Sequence, residues 1–149
     1  MLALLTTKMD VTILLVDDSP TDAAILSAAF DDVGWQWPIQ IAQTGDEALA
    51  LLQQLDESAN AHPQLILLDL NLPGKTGHEV LGEIKQNAVW QTIPTIVLSS
   101  SATRTDIDKS YQLHANAYIT KPTHFSEYQV IAQKIHDFWL QTAQLPTNV

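Results

Sequence analysis

QLILLDLNLPGKTG, residues 64–77, is the stretch that decides the fold predicted for this chain. Its apolar run, Leu65 to Leu68, ends on a carboxylate, Asp69, and is followed by a loop that contains proline and glycine. A short apolar run bounded by turn residues is typical of a strand buried on both faces of a parallel sheet. Ligands bind at the carboxyl ends of such strands, so Asp69 is a candidate functional residue. The alternative is that Asp69 is an N-cap that opens the next segment.

Composition limits the classes of protein to which the chain can belong. Its 149 residues suffice for one domain with a buried core. We expect a lead-in at residues 1–10, one domain at residues 11–140 and a C-terminal extension at residues 141–149. The net charge of −10 disfavours binding to nucleic acid or to anionic membranes and favours proteins or cations as partners.

Two further features concern the location of the protein. The chain has no cysteine, which excludes disulfides and thiolate metal sites and is compatible with the cytoplasm. The apolar start, MLALL, is too short for a signal peptide or a membrane span. We therefore expect a cytoplasmic protein without a membrane partner.

Apolar runs and helix signals alternate along the chain. Five short apolar segments are predicted to be strands: Thr12 to Val16, Ile39 to Ala42, Leu65 to Leu68, Thr95 to Leu98 and Ala117 to Ile119. A helix follows each of them, and two helices begin at Thr-x-x-Glu capping boxes, at Thr44 and Thr76. Five strand–helix units in succession predict an α/β fold, a doubly wound five-stranded parallel sheet with five helices.

Chemically capable residues follow four of the five predicted strands. Because the carboxyl ends of parallel strands meet at one edge, we expect these side chains to lie close together: Asp17, Asp18, Asp69, Ser99 and Lys121. Three neighbouring carboxylates repel by about 4 kcal/mol per pair at an effective dielectric constant of about 20. A hard divalent cation, Mg²⁺ or Mn²⁺, offsets this repulsion, with the Asn71 carbonyl as a further oxygen ligand.

A carboxylate beside a cation, a lysine and a hydroxyl forms a site for phosphoryl transfer. The cation and the ammonium neutralise the phosphoryl oxygens, and the hydroxyl donates a hydrogen bond to one of them. The carboxylate is then the nucleophile, and Asp69 is the best candidate because it follows the central strand.

These residues together resemble the receiver domains of two-component response regulators. The resemblance covers about residues 12–139 and rests on four features: the pair Asp17-Asp18, the segment LLDLNLPGKTG around Asp69, Ser99, and the pair Lys121-Pro122. It implies a flavodoxin-like receiver fold and a phosphorelay function. A histidine kinase would phosphorylate Asp69, and phosphorylation would switch the interaction with a downstream protein that the sequence does not identify. The chain would be a phosphoacceptor that assists its own phosphorylation and dephosphorylation, and not an enzyme.

The resemblance also assigns roles to individual residues around Asp69. Asp18 and the Asn71 carbonyl would join Asp69 around Mg²⁺, with Asp17 helping through water. Three residues would contact the phosphoryl group: Ser99, Ser100 and Lys121.

Two further features implied by the resemblance concern switching and backbone conformation. Ser99 and Tyr118 would form the switch, because Tyr118 is the aromatic residue that turns inward on activation. The peptide bond before Pro122 would be cis, an isomer that proline tolerates at small cost.

A second resemblance is to the small cyanobacterial regulators that pair with phytochrome kinases. It rests on the segment EVLGEIKQN, on the polar insertion from Asp56 to Gln64 and on the ending FWLQTAQLP. Two alternatives remain open. A metal-dependent phosphatase for small molecules could use the same aspartate, but the chain has only short loops from which to build a lid. A pseudo-receiver that binds partners without phosphorylation would be expected to lack an acid or Lys121, and both are present.

Excess apolar bulk near the end of the chain predicts a two-fold homodimer. The residues concerned are Phe138, Trp139, Leu140 and Leu145. Phe138 and Trp139 continue the inner stripe of the last helix, predicted from about Ser126 to Gln141, whereas Leu140 and Leu145 do not easily share that face. The competing expectation is that this tail folds back on its own domain.

Overall fold

The computed structural model describes residues 12–58 and 61–146. The predicted lead-in at residues 1–10 lies outside the described residues, as do the last three residues of the predicted extension. Five strands alternate with five α-helices: β1 Ile13–Val16, α1 Pro20–Asp32, β2 Ile39–Ala42, α2 Gly45–Glu57, β3 Leu65–Leu68, α3 Gly77–Gln86, β4 Thr95–Ser99, α4 Arg104–Gln112, β5 Ala117–Thr120 and α5 Phe125–Ile135. A 3₁₀ turn at Trp90–Thr92 precedes β4, and a π-helical segment at His136–Thr142 follows α5.

The strands form one sheet in the order β2-β1-β3-β4-β5, and every pair is parallel. This confirms the predicted doubly wound fold and places β3, the strand that precedes Asp69, at the centre. The order reverses direction after β1, so the carboxyl ends of β1 and β3 flank the point at which such folds bind ligands.

Alternate strand residues face two separate apolar layers, as the period of two in a strand requires. On one face, Leu14, Ile66 and Leu68 pack with residues of α2 and α3. On the other face, residues of the same strands pack with α1 and α5, where Phe30 is the largest of the fully buried side chains. Burying one large apolar side chain stabilises the fold by about 1.5–3 kcal/mol, so these two layers fix the sheet that carries the site.

The helix starts follow the predicted capping signals in part. At α3 both halves of the box form, because the Thr76 hydroxyl accepts from the Glu79 N–H and the Glu79 carboxylate accepts from the Thr76 N–H. At α2 the Thr44 hydroxyl accepts from the Glu47 N–H, but Glu47 accepts instead from the Gln43 N–H. In the box at α2, the Glu47 carboxylate therefore binds the N–H one residue before the N-cap residue, Thr44.

The end of the chain departs from the predicted single helix. Helix α5 ends at Ile135 and widens into the π-helical segment, which advances the chain by one extra residue per hydrogen bond. Leu140 and Trp139 consequently lie partly buried against the α1–α5 layer, whereas 53% of Phe138 is exposed. The expectation that Leu140 lies off the face covered by the domain is wrong, because the π-helical segment turns it toward the sheet. Leu145 and Leu140 line one cleft together with His62.

Within residues 12–58 and 61–146, no helix has the length and apolar character needed to cross a membrane.

Candidate functional site

The Lys121 ammonium lies at the centre of the carboxyl edge of the sheet. Nζ donates hydrogen bonds to Asp17 Oδ2 at 2.8 Å, to Asp69 Oδ2 at 2.9 Å and to Asp22 Oδ2 at 2.9 Å. The side chains of Lys121 and Asp69 are each 7% exposed, so these contacts form away from bulk water. Because each of these hydrogen bonds joins opposite charges, together they fix the position of the Lys121 ammonium.

Backbone pairing explains why these side chains meet. The Asp17 N–H donates to Ala42 O at 3.0 Å and the Asp69 N–H donates to Val16 O at 2.9 Å, which continues the sheet one residue beyond β1 and β3. Between β4 and β5, the Lys121 N–H donates to Ser99 O at 2.7 Å. Asp17, Asp69 and Lys121 are therefore each the first residue past the end of their strand.

Burial and hydrogen bonding shift the proton affinities of this group. Burial lowers the pKa of Lys121, but its hydrogen bonds to Asp17, Asp22 and Asp69 outweigh this and raise the pKa above its ordinary value. Burial raises the pKa of Asp17, and the hydrogen bond from Lys121 opposes that shift. Lys121 is accordingly charged at neutral pH and offsets part of the repulsion among the acids.

Three carboxylates at this edge fit a divalent cation. One oxygen each from Asp17, Asp18 and Asp69 lies within 4.8 Å of the other two. Asp17 and Asp69 are buried, whereas Asp18 is exposed, so the group opens to solvent on one side. Hard oxygen donors at this spacing suit Mg²⁺ or Mn²⁺, so the donor set agrees with the predicted cation. The Asn71 N–H donates to Asp69 Oδ1 at 3.3 Å, which fixes the backbone of the predicted fourth ligand beside the group.

The predicted phosphate-contacting serines differ in their surroundings. Ser99 is fully buried at the end of β4, and its Oγ accepts the Ser101 N–H at 3.2 Å. Ser100 is exposed at the rim of the site. The hydroxyl of Ser99 is thus already held by a backbone donor in this structure.

Tyr118 lies half-buried on β5 and packs against the α2–α3 layer. Its hydroxyl donates to Ser101 O at 2.7 Å, which ties the predicted switch residue to the loop that follows β4. The predicted cis peptide bond at Pro122 is wrong for this structure, since none of the described peptide bonds is cis. Trans is the intrinsically favoured isomer of an X-Pro bond by about 0.5–1 kcal/mol.

Two residues that the sequence analysis did not assign also belong to this network. Asp22 contacts Lys121 from the first turn of α1, and Ser101 contacts both Ser99 and Tyr118. The Ser101 hydroxyl also donates to Asp106 Oδ2 at 2.6 Å, in the first turn of α4. A usable signal existed for Asp22, because the first turn of the helix after β1 lies at the same edge as the end of β1.

Comparison with known proteins identifies the family. The family model for the response regulator receiver domain matches residues 13–133. The chain belongs to the response regulator receiver family. Among curated relatives of this family, response regulator Rcp1 of Synechocystis sp. is 43% identical over 135 residues, which cover 90% of this chain and 92% of Rcp1. Protein PilH of Pseudomonas aeruginosa is 31% identical over 110 residues, covering 74% of this chain and 84% of PilH.

Solved receiver structures agree with the fold and with the sequence. The Mn²⁺-bound form of Rcp1 superposes with a TM-score of 0.82 at 41% identity and covers 95% of this chain and all of that one (100%). The phosphorylated cyanobacterial phytochrome response regulator RcpA gives a TM-score of 0.85 at 44% identity, covering 93% of this chain and 99% of RcpA. The chain is thus a receiver of two-component signalling with a divalent-cation group of the kind described above.

Proposed function

We propose that Asp69 is the phosphoacceptor of this receiver and that a histidine kinase supplies the phosphoryl group. The observation that carries the proposal is the buried contact of 2.9 Å between Asp69 Oδ2 and Lys121 Nζ, beside the carboxylates of Asp17 and Asp18. A nucleophilic oxygen, a fixed ammonium and a cation site converge there. This is the combination that phosphoryl transfer requires.

The transfer step balances without a further reactant. An Asp69 carboxylate oxygen forms a bond to phosphorus while the phosphorus–nitrogen bond to the kinase histidine breaks. The electron pair of that bond returns to the imidazole nitrogen, which then takes up a proton. Lys121 stabilises the negative charge on the phosphoryl oxygens, and the Ser99 and Ser100 hydroxyls donate hydrogen bonds to them.

Mg²⁺ is the cation that we propose for the site, with Mn²⁺ as a substitute. Asp18, Asp69 and the Asn71 carbonyl would hold it directly, and Asp17 would act through water. When bound, the cation neutralises charge on the phosphoryl oxygens during transfer. The related Rcp1 has a Mn²⁺-bound form, which supports a divalent cation for this chain as well.

Phosphorylation would act through Ser99 and Tyr118. The Ser99 hydroxyl would turn toward the phosphoryl group and so move away from the Ser101 N–H, whose acceptor it is, and Ser101 O is the acceptor of the Tyr118 hydroxyl. A change at Asp69 therefore reaches the side chain that we assign as the switch. The output is a changed protein–protein interaction and not turnover of a separate substrate.

A phytochrome-type sensor is the kinase that we propose. RcpA, at 44% identity, is a phytochrome response regulator, which supports a kinase of the same type for this chain. We place the receiver domain at residues 11–140, the extension at residues 141–149, and the protein in the cytoplasm, where a kinase can transfer phosphate to it. The downstream protein partner is not identified by any residue of the site.

Labelling tests the assignment of Asp69. Incubation with acetyl phosphate and Mg²⁺ is expected to add one phosphate by intact mass, and omission of Mg²⁺ or the Asp69→Asn substitution is expected to prevent it. Asp31→Asn, which removes a carboxylate from the exposed part of α1, is the control and should label normally. Uptake of phosphate by Asp69→Asn would show that another residue is the acceptor.

We also propose that the receiver forms a homodimer through the end of the chain. The support is the exposed ring of Phe138, which packs edge-on against Trp139 with ring centroids 5.1 Å apart. Leu140 and Leu145 are half-buried in the cleft that Trp139 also lines, and they would lie at the margin of the interface. Light scattering at micromolar concentration is expected to give a dimer mass for the wild type and a smaller mass for Phe138→Ser. A monomeric wild type with and without phosphate contradicts the dimer.

A further inference from the structure

Asp22 contacts the site lysine but is not among the carboxylates that fit the cation. Its Oδ2 accepts a hydrogen bond from Lys121 Nζ at 2.9 Å, the same length as the bond from Nζ to Asp69. The group of mutually close ligand oxygens comprises Asp17, Asp18 and Asp69. Asp22 is 33% exposed, whereas Lys121 is 7% exposed, so this contact joins the buried ammonium to the rim of the site.

Cation binding would reduce the number of carboxylates that are free to accept hydrogen bonds from Lys121. The ammonium has three N–H donors, and three carboxylates accept them in this structure. A divalent cation would engage two of these acceptors, Asp69 directly and Asp17 through water. It also repels the ammonium, because like charges a few ångströms apart repel strongly in a partly buried site. Asp22 is the acceptor that the cation leaves to Lys121.

We propose that Asp22 is a positioning residue that keeps the Lys121 ammonium beside Asp69 while the cation is bound. This inference rests on the proposed function of Asp69. A lysine side chain has a flexible stem, so without a fixed acceptor the ammonium loses its orientation when the cation enters. The charge of Asp22 also offsets the repulsion between the ammonium and the cation.

The local structure of α1 favours this role. Asp22 is in the first turn of α1, and its N–H donates to the Ser19 hydroxyl, which caps the helix. The Asp17 carboxylate accepts from the Ser19 N–H at 2.9 Å, so the same cap also orients one of the cation ligands. Asp22 is therefore held by the helix and not by the cation group.

Three variants test whether the effect of Asp22 comes from its carboxylate or from a general change in the charge of α1. Asp22→Asn retains the backbone cap and removes the charge, and Asp22→Glu keeps a carboxylate on a longer stem. Asp31→Asn is the matched control, because it removes the same charge from the exposed part of α1. Phosphorylation by acetyl phosphate at saturating Mg²⁺ is expected to be about tenfold slower in Asp22→Asn, the loss expected for one charge-assisted hydrogen bond. Asp22→Glu should recover most of the rate, and Asp31→Asn should match the wild type.

A second measurement reports on Lys121 without any phosphoryl transfer. The ¹⁵N signal of the Lys121 ammonium is followed by NMR with and without Mg²⁺, since hydrogen-bonded, buried ammonium protons exchange slowly with water. The wild type should keep this signal in both conditions, whereas Asp22→Asn should keep it without Mg²⁺ and lose it with Mg²⁺. A purely structural role of Asp22 would not depend on Mg²⁺.

The outcomes distinguish this inference from the proposed function. A rate in Asp22→Asn that equals or exceeds the rate of the wild type overturns the positioning role, as does a Lys121 signal that survives Mg²⁺ in that variant. Failure of the wild type to take up phosphate, or uptake by Asp69→Asn, overturns the assignment of Asp69 instead.

Discussion

Gly77 supports the backbone of the phosphoacceptor, so a single added methyl group should impair phosphorylation. Gly77 begins α3, and its N–H donates to Leu70 O at 2.9 Å. A Cβ at this position would lie 2.3 Å from Asp69 O and 2.4 Å from Leu70 Cα, where ordinary contacts begin near 3.4 Å. Gly77→Ala therefore requires the Asp69–Leu70 backbone and α3 to separate by about 1 Å.

The size of the effect follows from that displacement. A misplacement of about 1 Å at a reacting group costs about 10²-fold in rate. Overpacking of this kind also costs about 1–3 kcal/mol of unfolding free energy, which lowers the melting temperature by several degrees in a domain of this size. Gly77→Ala should thus remain folded at room temperature, and its phosphorylation by acetyl phosphate should be about 100-fold slower.

Gly82→Ala is the matched control on the same helix. A Cβ at Gly82 has no heavy atom within 4 Å, and alanine is favoured over glycine in a helix by about 1 kcal/mol. This variant should phosphorylate at the wild-type rate and melt at an equal or higher temperature. Normal phosphorylation and an unchanged melting temperature in Gly77→Ala would refute the reasoning, because the close approach to Asp69 would then carry no cost.

Two further predictions concern the cation and pH. Isothermal titration calorimetry should show weaker Mg²⁺ binding in Asp18→Asn, because this variant lacks a ligand. Lys121→Met should bind Mg²⁺ more tightly, because it lacks the ammonium that competes with the cation. Equal losses of Mg²⁺ affinity in both variants would contradict these roles. Burial lowers the pKa of His78 below the ordinary 6.5, and Lys109 adds to the shift. The unfolded state then takes up its proton first, so stability falls as the pH drops from 6.5 toward the folded-state value. Urea unfolding across that range should show a smaller loss of stability for His78→Asn than for the wild type, and an equal loss in both would contradict this assignment.

The central part of the site was predictable because it depends only on where the strands end and on their being parallel. A buried apolar run fixes a strand, and parallel strands bring their carboxyl ends to one edge. Asp17, Asp69 and Lys121 each follow such a run directly, so their approach required no knowledge of side-chain conformation. The structure brings the carboxylates of Asp17 and Asp69 within hydrogen-bonding distance of Lys121 Nζ, as that geometry implies.

The residues that the sequence analysis did not find lie on helices and loops. Asp22 is near the N-terminus of α1, where an acidic residue is expected for its effect on the helix dipole alone. Its position in the first turn of the helix after β1 places it at the edge that carries the site, but its contact with Lys121 also depends on the conformation of the lysine side chain. Ser101 lies in the loop before α4, where hydrogen-bond partners depend on the loop conformation.

The end of the chain was predicted less well because the helix changes its period. A period of 3.6 residues per turn extends the inner stripe of α5 through Phe138 and Trp139 and leaves Leu140 outside it. The π-helical segment at His136–Thr142 rotates the side chains within it relative to an α-helix, so Leu140 packs against the domain instead. Apolar pattern alone does not distinguish an α-helical turn from a π-helical one.

Ser101 explains how a small change at the site can reach the surface of the molecule. One residue offers its N–H to Ser99, its carbonyl to Tyr118 and its hydroxyl to Asp106 at the start of α4. If the Ser99 hydroxyl turns away, the partly buried N–H of Ser101 loses its acceptor, and leaving such a donor unpaired costs up to about 1–3 kcal/mol. Movement of Ser101 recovers that energy only by disturbing its bonds to Tyr118 or Asp106. The loop after β4 therefore has few ways to respond to Ser99, and each of them alters a contact with β5 or α4.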